Sequence, residues 1–258
     1  MWKTQGGWFE EWFDHPGYPV LYAHRDQTEA DAWIDTLVTR VFTARSLAGP
    51  ILDCGCGHGR HSRRLADFGI PTVGLDLSAS SISAAQHHTA TRPHLSFVRG
   101  DVRDLVHLFP HNHFAAALSL FTSFGYLSTP EEDLHVLRQI HSVLQPGGQF
   151  VLDYLHAPHV RSRLVPAEII RRTGTVNDVW TFSIARSEAR GGFVKAIEIE
   201  HNGQPAGRFE EFVRAYRPDE LTALLKEVGM APTFFAGDYS LGPLGPDAPR
   251  CIIVAEKS

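Results

Sequence analysis

The chain has 258 residues, enough for one large domain or two small ones, and its hydrophobic share of 43% is ordinary for a globular protein. Lys and Arg total 24 against 29 Asp and Glu, a formal charge of −5, which weighs against a partner recognised through phosphate charge. No apolar run approaches the roughly 20 residues of a bilayer span, the N-terminus lacks the basic start and apolar stretch of a secretory signal, and Cys54, Cys56 and Cys251 cannot all pair, so a reducing cytoplasm is expected.

The N-terminal stretch carries Trp2, Trp8, Phe9, Trp12 and Phe13. It reads either as an amphipathic helix buried on the domain or as the apolar wall of a pocket. "TEADAWIDTLVTRVF" then sets Trp33, Ile34, Leu37, Val38, Val41 and Phe42 at helical spacing, with Thr28 and Asp31 as a capping-box start. A strand–helix rhythm follows. "PILDCG" reads as a buried strand, and "GRHSRRLADFG" as a helix stopped by Gly69. "PTVGLD" is a strand, followed by a helix from Ser78 to about Ala90. "LSFVRGD" and "FAAALSLF" are strands, and "PEEDLHVLRQIHSVL" is a helix opened by Pro130. "QPGG" reads as a turn, and "QFVLDYL" as the fifth strand.

Five strands alternating with helices predict an α/β domain with a mostly parallel sheet. Ligands of such sheets bind at the carboxyl ends of the strands, which brings Asp53, Asp76, Asp101, Leu120 and Tyr154 forward. After residue 154 the rhythm changes. Residues 168–216 hold β-rich runs separated by "ARGG" and "HNGQPAG", worth two hairpins. "RPDELTALLKEVG" is a helix between Pro218 and Gly229, and "RCIIVAEK" is a final strand.

The segment "LDCGCGHGRH" admits two readings. Cys54, Cys56, His58 and His61 are reasonable zinc ligands, but zinc ligands come as pairs separated by a longer connection. The glycine reading explains more. Gly55, Gly57 and Gly59 lie between a strand and a helix, where glycine permits positive φ and close approach of a ligand to backbone. The loop lacks the Lys-Ser/Thr of a P-loop and the spacing of the dinucleotide fingerprint. Asp76, at the end of the next strand, suits two ribose hydroxyls; its plainer role as a helix cap is better filled by Ser78. No metal is expected.

In order and spacing, "ILDCGCGHG", "VGLDLS", "VRGDVRDL" and "LQPGG" resemble the motifs of class I S-adenosylmethionine-dependent methyltransferases over residues 48–155. "WFDHPGYPVLYAHRD" and "GDYSLGPLGPDAPRCIIVAEK" resemble a bacterial small-molecule subgroup, many of whose substrates are unassigned. The resemblance implies a doubly wound, Rossmann-like sheet of seven strands, the seventh antiparallel, with an inserted antiparallel β-lid. It divides the chain into an N-terminal aromatic segment at 1–45, a cofactor domain at 46–155 and 217–258, and a lid at 156–216.

It implies S-adenosylmethionine as cofactor and S-adenosylhomocysteine as product. Asp53 would meet the donor's ammonium or order the loop. Gly55, Cys56 and Gly57 would approach its methionyl and ribose atoms. Asp76, with Leu77 beside it, would take the ribose diol, and Asp101 and Val102 the adenine edge. Leu120 and Phe121 would flank the adenosine, and Tyr22 and Arg25 would close on the carboxylate; Arg25 reads equally as a solvated charge.

For catalysis the candidates are Tyr126, Tyr154 and His156 at or after strand ends; for each the alternative is packing or surface polarity, and for His156 that alternative is slightly favoured. Arg214, Tyr216 and Tyr239 join Tyr126 as candidates to face the acceptor. The Asp/Asn-Pro-Pro-aromatic motif of nucleobase amino methyltransferases is missing after strand four, where "SLFTSFGY" stands. The expectation is a small-molecule acceptor, with neither nucleic acid nor membrane as partner. A homodimer is left open, as is a catalytically silent donor-binding protein. Residues 8–25 and the inserted sheet together are expected to cover the acceptor pocket.

Overall fold

The computed structural model describes residues 7–24, 27–174 and 178–258. The chain opens on two short helices, α1 (Trp8–Phe13) and α2 (Gly17–Leu21), and continues into α3 (Gln27–Thr36) and α4 (Ala44–Leu47). Five strand–helix units follow: β1 (Ile51–Cys54), α5 (Arg60–Asp67), β2 (Thr72–Asp76), α6 (Ala79–Gln86), β3 (Leu95–Arg99), α7 (Leu105–Leu108), β4 (Phe114–Ser119), α8 (Pro130–Val143), β5 (Leu144–Leu155) and α9 (Ala157–Ser162). Four antiparallel strands come next: β6 (Ala167–Thr173), β7 (Val179–Ala189), β8 (Gly192–His201) and β9 (Gln204–Arg214). Helix α10 (Pro218–Glu227) and strands β10 (Met230–Ala236) and β11 (Arg250–Lys257) close the fold.

The main sheet has seven strands in the order β10-β11-β5-β4-β1-β2-β3. β1 to β5 are parallel, and β11 enters antiparallel between β5 and β10. Every residue of β1 and of β4 is buried, as continuous apolar runs of a parallel sheet covered on both faces require. One face packs on Leu134, Leu137 and Ile140 of α8 and Leu221 and Leu225 of α10. The other packs on Trp33 and Ile34 of α3 and Leu65 of α5. Strand order reverses between β1 and β4, so their carboxyl ends diverge and leave a crevice there. The second sheet, β6-β7-β8-β9, is separate.

Several local expectations change. The helix after Gln27 does not run unbroken to Phe42. It loosens into one π-helical turn at Leu37–Val41, closed by the Phe42 N–H donating to the Leu37 carbonyl at 2.8 Å. Thr28 is not its cap, because Gln27 is already helical and donates through Nε2 to Asp31 Oδ1 at 2.6 Å. Helix α6 is capped by Ser78 as expected but ends at Gln86. "QPGG" is not a turn between helix and strand. Leu144 already pairs with Phe114, so the segment bulges out of β5 and pairing resumes at Gln149 with Ala116. Sequence reading also passed over edge strand β10, whose Phe234 and Phe235 are half-exposed and blur the alternation.

Candidate functional site

The glycine loop follows directly from β1. The Gly55 and Cys56 N–H groups donate to the Leu75 carbonyl at 2.8 and 3.0 Å, which anchors the turn to β2. Gly55 and Gly57 take φ of +72° and +53°, the left-handed region that glycine enters without steric cost. A Cβ on Gly55 would meet Ser123 at 2.7 Å, whereas a Cβ on Gly57 would meet nothing within 4 Å. Gly57 therefore faces open space. That space is a cavity of about 380 Å³ at the switch in strand order, between the loop, the ends of β2 to β4 and the N-terminal segment.

Asp76 hangs over this cavity from the end of β2. Its Oδ2 accepts from the Gly57 N–H at 2.8 Å and its Oδ1 from the Ser78 N–H at 2.9 Å. Each oxygen keeps a second lone-pair direction for a ligand hydroxyl. Burial pushes its carboxyl above the usual range, against the pull of those backbone donors. Leu77, Asp101, Val102, Leu120 and Phe121 line the same cavity, with Gly55, Cys56 and Gly57, and Tyr22 closes it from the N-terminal segment. Asp101 caps a short 3₁₀ turn and is ion-paired with Arg103 at 2.5 Å. Burial opposes its charge, but the hydrogen bonds and charge of Arg103 prevail and hold the carboxyl below its ordinary range. Arg25 lies outside the described residues.

Other candidates fall elsewhere. Asp53 is fully buried behind the loop and does not line the cavity; Ser62 Oγ donates to its Oδ2 at 2.6 Å, so its place is in tying the loop to α5. Tyr154 is also fully buried, and its hydroxyl donates to the Arg214 carbonyl at 2.5 Å. His156 is buried with Nδ1 donating to the Ala248 carbonyl at 2.8 Å. Both are buried and neither lines this cavity or the one adjoining it, so the catalytic expectation for both is corrected to packing. Arg214 and Tyr216 point instead at Asp133, at 2.9 and 3.0 Å, and Tyr239 donates to Asp153 Oδ2 at 3.0 Å. None of the three faces the open space. The reason is common to all: each is a strand-end or loop polar group whose partner arrives from a distant part of the chain. Tyr126 does face it, edge-on to Trp8 and Phe13 at 5.7 Å.

Sequence reading named Phe9 and Phe13 as a pocket wall or a buried helix and weighed His61 only as a zinc ligand, and it did not name Arg60 or Tyr18 as lining groups. Arg60 and His61 come from the first turn of α5, and Phe9, Phe13 and Tyr18 come from α1 and α2. Burial, helped by the charge of Arg60, pushes His61 down to about 3, so it lines the cavity as a neutral ring. Helical spacing alone placed His61 beside the glycine loop, and that was the available signal. Cys54 packs in the main core while Cys56 packs with Ala66, Ile82 and Phe97, so the two cysteines face different apolar clusters. Among the described residues no three His, Cys, Asp or Glu side chains gather as metal ligands would, and no helix is long and apolar enough to cross a membrane.

A second cavity, of about 480 Å³, adjoins the first and shares Phe13, Tyr18, Tyr22, Phe121 and Tyr126 with it. Its far wall is the second sheet. The sheet's apolar face, Trp180, Phe182, Ile184, Ile197 and Ile199, packs on Trp12 and Leu21 of the N-terminal helices. A polar knot fixes that contact: Trp12 Nε1 and the Tyr22 hydroxyl donate to Glu211 Oε1 at 2.6 and 2.5 Å, and Lys195 Nζ reaches Glu211 Oε2 at 3.4 Å and the Tyr22 hydroxyl.

Residues 51–148 match the model of a methyltransferase domain. The chain is 24% identical over 244 residues to the putative methyltransferase YqeM of Bacillus subtilis, covering 93% of this chain and 94% of that protein. It is 32% identical over 162 residues to the dTDP-3-amino-3,4,6-trideoxy-alpha-D-glucopyranose N,N-dimethyltransferase of Streptomyces venezuelae, covering 61% and 64%. The fold superposes on the CcbJ methyltransferase of Streptomyces caelestis with a TM-score of 0.76 at 19% identity, covering 96% of this chain and 99% of the other.

Proposed function

We propose that this chain, which belongs to the class I S-adenosylmethionine-dependent methyltransferases, methylates the nitrogen of a small-molecule amine held in the second cavity. The observation that carries the reading is the pair of adjoining cavities. One is lined by the glycine loop and Asp76, and the other is walled by the second sheet.

The residues of the first cavity fit the donor. Gly57 leaves room for a ligand against its backbone, and both Asp76 oxygens are pre-oriented with a lone pair to spare. Asp76 would take the ribose hydroxyls, Val102 and Leu120 would bracket the base, and Tyr22 would close over the methionyl end. The donor, when bound, supplies an electrophilic methyl group on a sulfonium. The chain's own task is to align the acceptor and exclude water, since in-line displacement depends on orientation and desolvation. Phe13, Phe121 and Tyr126, shared by both cavities, are placed to do both.

The nitrogen assignment leans on the amino-sugar N,N-dimethyltransferase among the relatives. The second sheet and residues 8–24 act as the lid that selects the acceptor; their packing on each other within one chain favours this over a role as a dimer contact. The test is incubation with S-adenosylmethionine carrying a labelled methyl group and a mixed amine extract, read by mass spectrometry. Label on nitrogen supports the reading. Label on oxygen or carbon overturns the nitrogen assignment, and tight S-adenosylhomocysteine binding without transfer to any acceptor would restore the silent binder.

A further inference from the structure

We propose that the buried Asp153–Arg250 pair is a positioning device. It holds the Phe121–Thr122 turn left-handed and so fixes the Phe121 ring as the wall shared by the two cavities. Phe121 and Thr122 have φ of +59° and +68° in succession, and neither is glycine. A β-branched residue in that region is an outlier, and such backbone persists only where its surroundings over-determine it.

Asp153 supplies that determination. It is fully buried in β5. Its Oδ2 accepts from the Phe121 N–H at 2.8 Å, and its carbonyl accepts from the Thr122 N–H at 2.9 Å. Arg250, at the start of β11, donates through Nε to Asp153 Oδ1 at 2.7 Å and through Nη2 to Thr122 Oγ1 at 2.9 Å. The Tyr239 hydroxyl adds a donor to Asp153 Oδ2 at 3.0 Å, with its ring stacked on Trp33 at 4.8 Å. The Phe121 N–H and the Thr122 hydroxyl thus end on the buried ion pair, and the Thr122 N–H ends on the main chain of the same Asp153.

The turn places the Phe121 ring, which lines both cavities. The Arg60 guanidinium, lining the first cavity, lies 6.0 Å from its centroid, and that of Arg250, lining the second, lies 5.4 Å away. Asp153 lines neither. It acts through Phe121, and its sequence position in a hydrophobic strand gave no sign of this.

S-adenosylhomocysteine titrated calorimetrically into the full chain reads the effect without an acceptor. Phe121→Ala is expected to weaken binding about tenfold, Asp153→Asn by a comparable factor, and the double variant no further, because residues acting through one element are not additive. Thr122→Gly, which carries no penalty for positive φ, is expected to return Asp153→Asn to within about threefold of wild type; a role in stability alone would not move the affinity of the folded fraction. Wild-type affinity in folded Asp153→Asn, multiplying losses in the double variant, or failure of the rescue overturns the proposal. Should Asp153→Asn not fold, Tyr239→Phe strips a single bond from Asp153: weaker binding supports the proposal and unchanged binding overturns it. The inference rests on the first cavity being the donor site. A wild-type chain that fails to bind in the same titration overturns that reading and this one together, whereas wild-type binding with indifferent variants overturns this one alone.

Discussion

Asp53 is a carboxyl group buried away from the protein surface. Burial raises its pKa to about 6, with the hydroxyl of Ser62 pulling the other way. A carboxyl raised above its unfolded value binds its proton more tightly when folded. The stability this gives is full below about pH 4 and is lost as the pH rises through about 6. At about 1.4 kcal/mol per pH unit, two units amount to about 3 kcal/mol. Asp53→Asn lacks the titration, so the stability advantage of wild type over this variant should shrink by about that amount between pH 4 and pH 7.5. Urea unfolding at both values measures it, and a constant difference would show that Asp53 is solvated. At the proposed donor site, Gly57→Val strains the backbone at φ +53° by roughly 1–3 kcal/mol, but its Cβ meets no neighbour, so the variant should fold with lowered stability and fill the space a donor needs. Asp76→Ala should weaken S-adenosylhomocysteine by roughly 1–3 kcal/mol, the scale of lost hydrogen bonds to a charge. Unchanged calorimetric affinity in both would remove the donor assignment.

At the scale of elements, α1 and the second sheet hold each other in place. Trp12 is fully buried, 4.8 Å from the Phe209 ring, and donates to Glu211. A small sheet with one apolar face needs such a partner. Trp12→Ala should cost about 3–5 kcal/mol, as large aromatic truncations do. Trp12→Phe should cost about 1–2 kcal/mol through the lost donor to Glu211. The order of the two in urea unfolding is the check; equal costs would mean that the ring contributes nothing. Helix α8 shows an element fixed locally: Thr129 and Glu132 form a complete capping box ahead of Pro130. Thr129→Ala should cost about 1 kcal/mol without touching either cavity, visible as a lower urea midpoint at unchanged donor affinity.

At the scale of the whole molecule, donor binding is linked to folding. S-adenosylhomocysteine at a hundred times its dissociation constant should stabilise the chain by about 2.7 kcal/mol. For a domain of this size that is a rise in melting temperature of about 5–10 °C. NAD should give none, because the glycine spacing is not that of a dinucleotide loop. A shift with NAD and none with S-adenosylhomocysteine would reverse the choice of ligand.

The sheet, its parallel strands and the glycine loop after β1 were legible in the sequence because their causes are local. A strand such as Phe114–Ser119, apolar through Leu118 and buried throughout, fits only the middle of a covered sheet. Gly57, Asp76, Asp101 and Val102 are brought to one cavity by strand ends that the chain order itself makes adjacent. What the sequence could not decide was the destination of polar groups whose partners lie far along the chain. Tyr154 and Arg214 are 60 residues apart, His156 and Ala248 are 92 apart, and Tyr239 and Asp153 are 86 apart. Each looked free to meet a ligand until tertiary packing buried it against its partner. The same holds for the second cavity. The sequence paired the N-terminal segment with the inserted sheet, but only the folded chain shows that Trp12 and Leu21 are the residues that cover the sheet's apolar face and that Tyr22 and Tyr126 are left facing the space between. Periodicity records which side of an element avoids water; it holds no record of which distant surface takes the water's place.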